Sequence, residues 1–133
     1  MKKWNKQEAI EGLKELINKL SLVRQSGRSS QEHIRWLANS LRILEEIFGK
    51  NSRYYQTLSN FSWSETGSRV IHGWDIEYQI EQGHKLAFLN QTQQAEGLLL
   101  AAIDQLRESE ITDVYEDNNS ISEASELVAI INL

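Results

Sequence analysis

The chain has 133 residues, the length of one domain, with 40% hydrophobic and 25% charged residues, so it can bury a core rather than stay disordered. It has no proline, which leaves long helix interiors unbroken, and no cysteine, which excludes disulfides, thiolate metal sites and a cysteine nucleophile. The formal charge of −5 opposes approach to a phosphate backbone, so general nucleic-acid binding is disfavoured, and the cluster Lys2, Lys3 and Lys6 reads as a solvated end.

The first predicted element starts at Asn5-Lys6-Gln7-Glu8, an N-cap with a glutamate three positions on. Ile10, Leu13, Leu16, Ile17, Leu20 and Val23 follow at steps of three and four, the period of one helix face, and Gln25-Ser26-Gly27-Arg28 ends it. Ser29-Ser30-Gln31-Glu32 reads as a second capping box. The helix behind it carries Ile34, Leu37, Leu41, Leu44 and Phe48, widened by Trp36, Ile43 and Ile47, and Gly49 is placed to terminate it. A connection of about four residues makes these two helices an antiparallel αα-hairpin.

Residues Asn51 to Leu58 predict a short helix capped by Asn51 or Ser52, and Ser62 to Gly73 a loop anchored to the bundle by Trp63. From about 74 to 107 the pattern is one long helix, bent near Gly83 or within Asn90 to Gln94, where polar residues thin the stripe. That stripe is Ile76, Ile80, Ala87, Ala95, Leu98, Leu99, Ala102, Ile103 and Leu106. At about 1.5 Å per residue it spans roughly 50 Å, longer than its partners, so part of it is expected to project or to bind a neighbour. Residues 109–119 form an acidic linker, and Ser120-x-x-Glu123 caps a last helix, 120–133, with Ala124, Leu127, Val128, Ile130 and Ile131 on its apolar side. An ending on an apolar run suggests a docked C-terminal helix or a piece of a longer protein. The expected fold is all-α, an antiparallel bundle of four to five helices in a single domain, 1–133.

No continuous apolar segment marks a signal peptide, and none approaches the roughly 20 residues needed to cross a bilayer, so a cytoplasmic protein without a membrane partner is expected.

The candidate sites are sparse. Arg28-x4-His33 has the Arg-x4-6-His spacing of HEPN ribonucleases, which are small helical bundles, and this makes a ribonuclease using Arg28 and His33 the enzymatic alternative. Here the spacing straddles a loop and a helix start, whereas those families carry it near a late helix; the bland reading is a solvated arginine and a helix-start histidine. Glu81-x-x-His84, with Glu77 one turn earlier, has the spacing of one ligand pair in di-iron bundles. It lacks the second pair and the further carboxylates, so no metal is expected. Ser68, His72 and Asp75 lack a nucleophile elbow, and no glycine-rich phosphate loop is present. The acidic run Glu108, Glu110, Asp113, Glu116 and Asp117 lacks the order of a calcium loop. Nothing implies a cofactor, and no catalytic residue is expected outside the ribonuclease alternative. The aromatic cluster Tyr54, Tyr55, Phe61, Trp63 and Trp74 either packs the loop and short helix onto the bundle or offers a contact surface; Tyr54, Tyr55, Trp63 and Trp74 are the candidate partner contacts.

The run Leu44-Glu45-Glu46-Ile47-Phe48-Gly49-Lys50-Asn51-Ser52-Arg53-Tyr54-Tyr55 resembles a helix-end motif in N-terminal helical modules of multidomain prokaryotic proteins, several linked to antiphage defence. Ala95-Glu96-Gly97-Leu98-Leu99-Leu100-Ala101-Ala102-Ile103-Asp104, followed by the acidic linker and a further apolar helix, resembles them too. The resemblance covers roughly residues 34 to 133, with a longer stretch from Ser64 to Gln94. It implies a module that precedes a TIR-like, nucleotide-binding or nuclease effector domain and serves association or sensing, with no catalytic residues. The expected function is therefore a non-catalytic module for protein interaction or oligomerisation, with a small-molecule-binding bundle as a further alternative.

Overall fold

The computed structural model describes residues 3–64 and 76–109, which form five helices and no strand. These are α1 (Lys6–Asn18), α2 (Leu20–Ser26), α3 (Gln31–Phe48), α4 (Arg53–Ser59) and α5 (Ile76–Glu108). The expected last helix 120–133, the linker beyond Ser109 and the loop from 65 to 75 lie outside the described residues.

Local chemistry sets most of the boundaries. The Asn5 side chain accepts from the Glu8 amide, and Glu8 accepts from the Asn5 amide, a complete capping box. The next cap falls one residue later than the box pattern suggests. Ser30, not Ser29, accepts from the amide three positions on, which puts His33 rather than Glu32 at that place. Ser52 caps α4 by accepting from Tyr55. Gly27 and Gly49 close α2 and α3 at φ +96° and +92°, a region that a β-carbon disfavours.

The single helix expected from Lys6 to about Val23 is divided at Lys19. The Trp36 indole N–H donates to the carbonyl of Leu16, 2.9 Å away and buried. A side chain that takes a carbonyl from the helical ladder is a recognised cause of a helix break, and Leu16 lies among the carbonyls a helix end leaves free.

Two cross-links fix the directions. Trp4 reaches Glu46 while Leu16 meets Trp36, so α1 runs antiparallel to α3. Lys6 bonds the Ser109 carbonyl while Arg24 reaches Thr92, so α1 and α2 also run antiparallel to α5. α1 therefore lies between α3 and α5, which run the same way, and α4 bridges their far ends. The core contains Leu13, Leu16, Leu20, Leu44, Ile47, Leu58, Phe88 and Leu99, with Trp4, Trp36 and Trp63 closing its edges.

The buried faces are not quite those the apolar pattern marked. On α3 the buried residues are His33, Trp36, Ser40, Ile43, Leu44 and Ile47, whereas Ile34 is 58% exposed. On α5 they are Gly83, Phe88, Thr92, Ala95, Leu99, Ala102, Ile103 and Leu106, with Ile76 and Ile80 exposed. The helix continues unbroken through Gly83 and Asn90–Gln94. The polar stretch is not a gap in the packing, because Thr92 is wholly buried there.

Candidate functional site

Three separate segments meet around His33. It sits in the first turn of α3, positioned by the Ser30 cap, and is 4% exposed. Its Nδ1 accepts from the Ser29 amide at 3.0 Å. The ring makes edge contacts with Trp63 at 4.8 Å and Phe88 at 4.9 Å, and Phe61 and Trp36 in turn meet Trp63 edge to face. Nε2 is buried with no hydrogen-bond partner among the described residues. Burial, and secondarily the charge of Arg28, hold the imidazole below its ordinary pKa of 6.5, so it is neutral at pH 7.

Arg28 stands on the turn beside this ring and lies 3.8 Å from Glu81 of α5, on a partly exposed pair. The structure thus brings Arg28 near His33, as the ribonuclease alternative requires. The imidazole, however, is enclosed by aromatic rings. A general base must reach its substrate's proton at hydrogen-bond distance. Here one ring nitrogen is committed to Ser29 and the other is buried beside the rings, the environment of a structural histidine.

The segment at 61–64 is held by one side chain of the polar stretch. Gln91 accepts from the Trp63 amide at 2.8 Å and donates to Ser62 Oγ at 3.1 Å and to the Ser64 carbonyl at 3.3 Å. Trp63 adopts φ +62°, a left-handed conformation that non-glycine residues rarely occupy. Trp63 is 7% exposed and Tyr54 6%, so both expend their surface inside the chain, as loop and helix anchors. Tyr54 also donates its hydroxyl to Gln105 at 2.5 Å, and burial raises its pKa above 10. Tyr55 is half-buried against the core, and Trp74 lies outside the described residues.

The other constellations carry less. Glu81 is committed to Arg28 and His84 lies one turn on, and no group of three metal-ligating side chains occurs among the described residues. Ser68, His72 and Asp75 lie outside the described residues. Sequence reasoning missed the link of Arg24 to α5: its Nε donates to Thr92 Oγ1 at 2.9 Å and its Nη2 to Glu96 at 2.8 Å. The only signal was an arginine at the end of an apolar stripe, which is indistinguishable from a solvated one. Surface depressions lie along this link, lined by Arg24, Leu89, Asn90 and Gln93, and at the opposite end beside Asn5, Ile10 and Arg107.

No helix among the described residues is long and apolar enough to cross a membrane. No family model matches the chain, and neither does any curated protein or solved structure.

Proposed function

We propose that the chain is a non-catalytic helical module for protein association. The observation that carries this reading is the first half of α5, where Ile76, Tyr78, Ile80 and Leu86 are 46%, 64%, 40% and 67% exposed. Ile76 and Ile80, four residues apart, share a face, while Tyr78 and Leu86 point elsewhere. A helix that is apolar in several directions is the kind that becomes enclosed by neighbours. Tyr55 adds a half-buried ring at the other end of the bundle. The reading accords with the expectation, drawn from residues 44–55 and 95–104, of a helical module serving association or sensing in a multidomain prokaryotic protein.

Light scattering on the purified chain tests it. The expected result is a concentration-dependent mass above 15.4 kDa. Tyr78→Lys with Leu86→Lys should restore the single-chain mass without changing the helical circular dichroism. A single-chain mass at every concentration up to about the millimolar range, where weak association is detected, overturns self-association by this helix.

A further inference from the structure

We propose that His33 is a proton-operated latch, whose neutral ring fastens the α2–α3 turn and the Phe61–Ser64 segment to α5 and whose protonation releases them. The argument begins with the tautomer. Nδ1 accepts the Ser29 amide proton, so the neutral ring carries its own hydrogen on Nε2. A second proton can go only to Nδ1. There it would turn the acceptor into a donor facing another donor at 3.0 Å.

The bond that is lost holds a strained residue. Ser29 has φ +66°, and the hydrogen bond its backbone N–H donates to the ring is one of the ties that keep the turn in that shape. The same ring forms the floor under Trp63, itself at φ +62°. Two left-handed non-glycine residues therefore flank one imidazole, and both can relax if it moves.

The described rings around His33 carry no charge to pair with the new one. Arg28 of the turn is the charge that acts on His33, Glu81 of α5 is paired with Arg28, and His84 is a titratable residue of α5 between Glu81 and Phe88. Phe61 and Trp63 from the 61–64 segment, Phe88 from α5 and Trp36 from α3 are uncharged. Aromatic faces can soften a cation, but the titrating atom is the one bonded to Ser29.

The direction follows from linkage. In the open form His33 titrates near 6.5, and in the closed form burial and Arg28 hold it lower. Above pH 6.5 both forms are neutral and the latch is fully closed. As pH falls below 6.5 the open form takes up its proton first, and closure weakens until the closed form's own pKa is passed. Within that window the opening constant should rise about tenfold per pH unit.

The test uses the whole chain with 5-fluorotryptophan and isotope-labelled histidine. Imidazole nitrogen shifts should show an Nε2–H ring at His33 and a midpoint below 6.5. The fluorine signal of Trp63, assigned with Trp63→Phe, should move over the same range. His33→Asn places an Oδ1 acceptor where Nδ1 stands and cannot titrate, so it should abolish the pH response of Trp63. Arg28→Gln should raise the His33 midpoint and narrow the window. A His33 midpoint at or above 6.5, or an unchanged Trp63 response in His33→Asn, overturns the latch. If His33→Asn does not fold, an Arg28→Gln chain whose Trp63 transition stays at the wild-type pH overturns it equally.

Discussion

The indole of Trp4 occupies the space that a side chain at position 12 would need. A β-carbon on Gly12 would stand 2.8 Å from Cζ3 and 3.1 Å from Cη2 of that ring. The ring is buried, and its N–H donates to Glu46 at 2.9 Å, so the segment before α1 is fastened across α1 to α3. The glycine makes that crossing possible.

Substitution at Gly12 therefore sets two effects against each other. Alanine improves helix propensity by about 1 kcal/mol, but here it must push the Trp4 ring off its seat and strain the bond to Glu46. Gly12→Ala is expected to lower stability by about 1 kcal/mol net. Gly97 is the internal control, since a β-carbon there meets nothing within 4 Å. Gly97→Ala should raise stability by roughly 0.5–1 kcal/mol. Urea unfolding of both variants checks the opposite signs.

Ser40 presents a second test, on the buried face of α3. Its residue is wholly buried and its hydroxyl has no hydrogen-bond partner among the described residues. A buried polar group without a partner costs about 1–3 kcal/mol of desolvation. Ser40→Ala removes the hydroxyl and leaves a void of one oxygen atom. The variant should be more stable than the wild type by about 1 kcal/mol, seen as a higher midpoint in thermal unfolding. A loss of stability would mean that the hydroxyl is bonded in solution.

Ser40 and His33 also explain what was legible in the sequence. Period together with capping residues located α1 and α3, period marked the long α5, and a cap at Asn51 or Ser52 marked α4, because leucines and isoleucines at steps of three and four form one helix face. It placed the α3 face slightly wrong by counting only apolar residues. Ile34 joined the stripe and is exposed, while His33 and Ser40 were passed over and are buried. A polar side chain enters a core when a specific neighbour accommodates it, and those neighbours come from distant segments: Ser29, Trp63 and Phe88 for His33. The same holds for Thr92, which read as thinning of the stripe because its partner is 68 residues away. The break at Lys19 had no local mark at all, since it depends on Trp36 from another helix. Of the candidate aromatics, Phe61 and Trp63 join the rings around His33, whereas Tyr54 packs on Phe48; closeness in sequence does not say which rings meet.

The Arg24 link predicts a contrast in salt dependence. Thr92 Oγ1 is a neutral, buried acceptor that itself donates to the Leu89 carbonyl at 2.7 Å. Glu96 is charged, and the Arg24–Glu96 side chains are 28% and 38% exposed. Double-mutant cycles should give a coupling of about 1 kcal/mol for Arg24 with Thr92→Val. Arg24 with Glu96→Gln should give roughly 0.2–1 kcal/mol, because solvent screens an exposed pair. Raising salt to about 1 M shortens the screening length to about 3 Å, so the second coupling should fall and the first should persist. Equal salt sensitivity would place Thr92 outside the link.

Trp63 separates a folding role from a binding role. Its ring contacts His33, Phe61, Trp36 and Phe88, its amide is taken by Gln91, and little of it reaches solvent. Trp63→Ala removes the ring that packs on both His33 of α3 and Phe88 of α5 and leaves a large void, so it should cost about 3–5 kcal/mol. Trp63→Phe keeps an aromatic ring and should cost less than half of that. Neither change touches Tyr78 or Leu86, which are exposed on α5. The fraction of Trp63→Phe that remains folded should therefore associate as the wild type does, measured by light scattering at matched folded concentration. A folded Trp63→Phe chain that no longer associates would move the contact surface from the first turns of α5 to this aromatic corner.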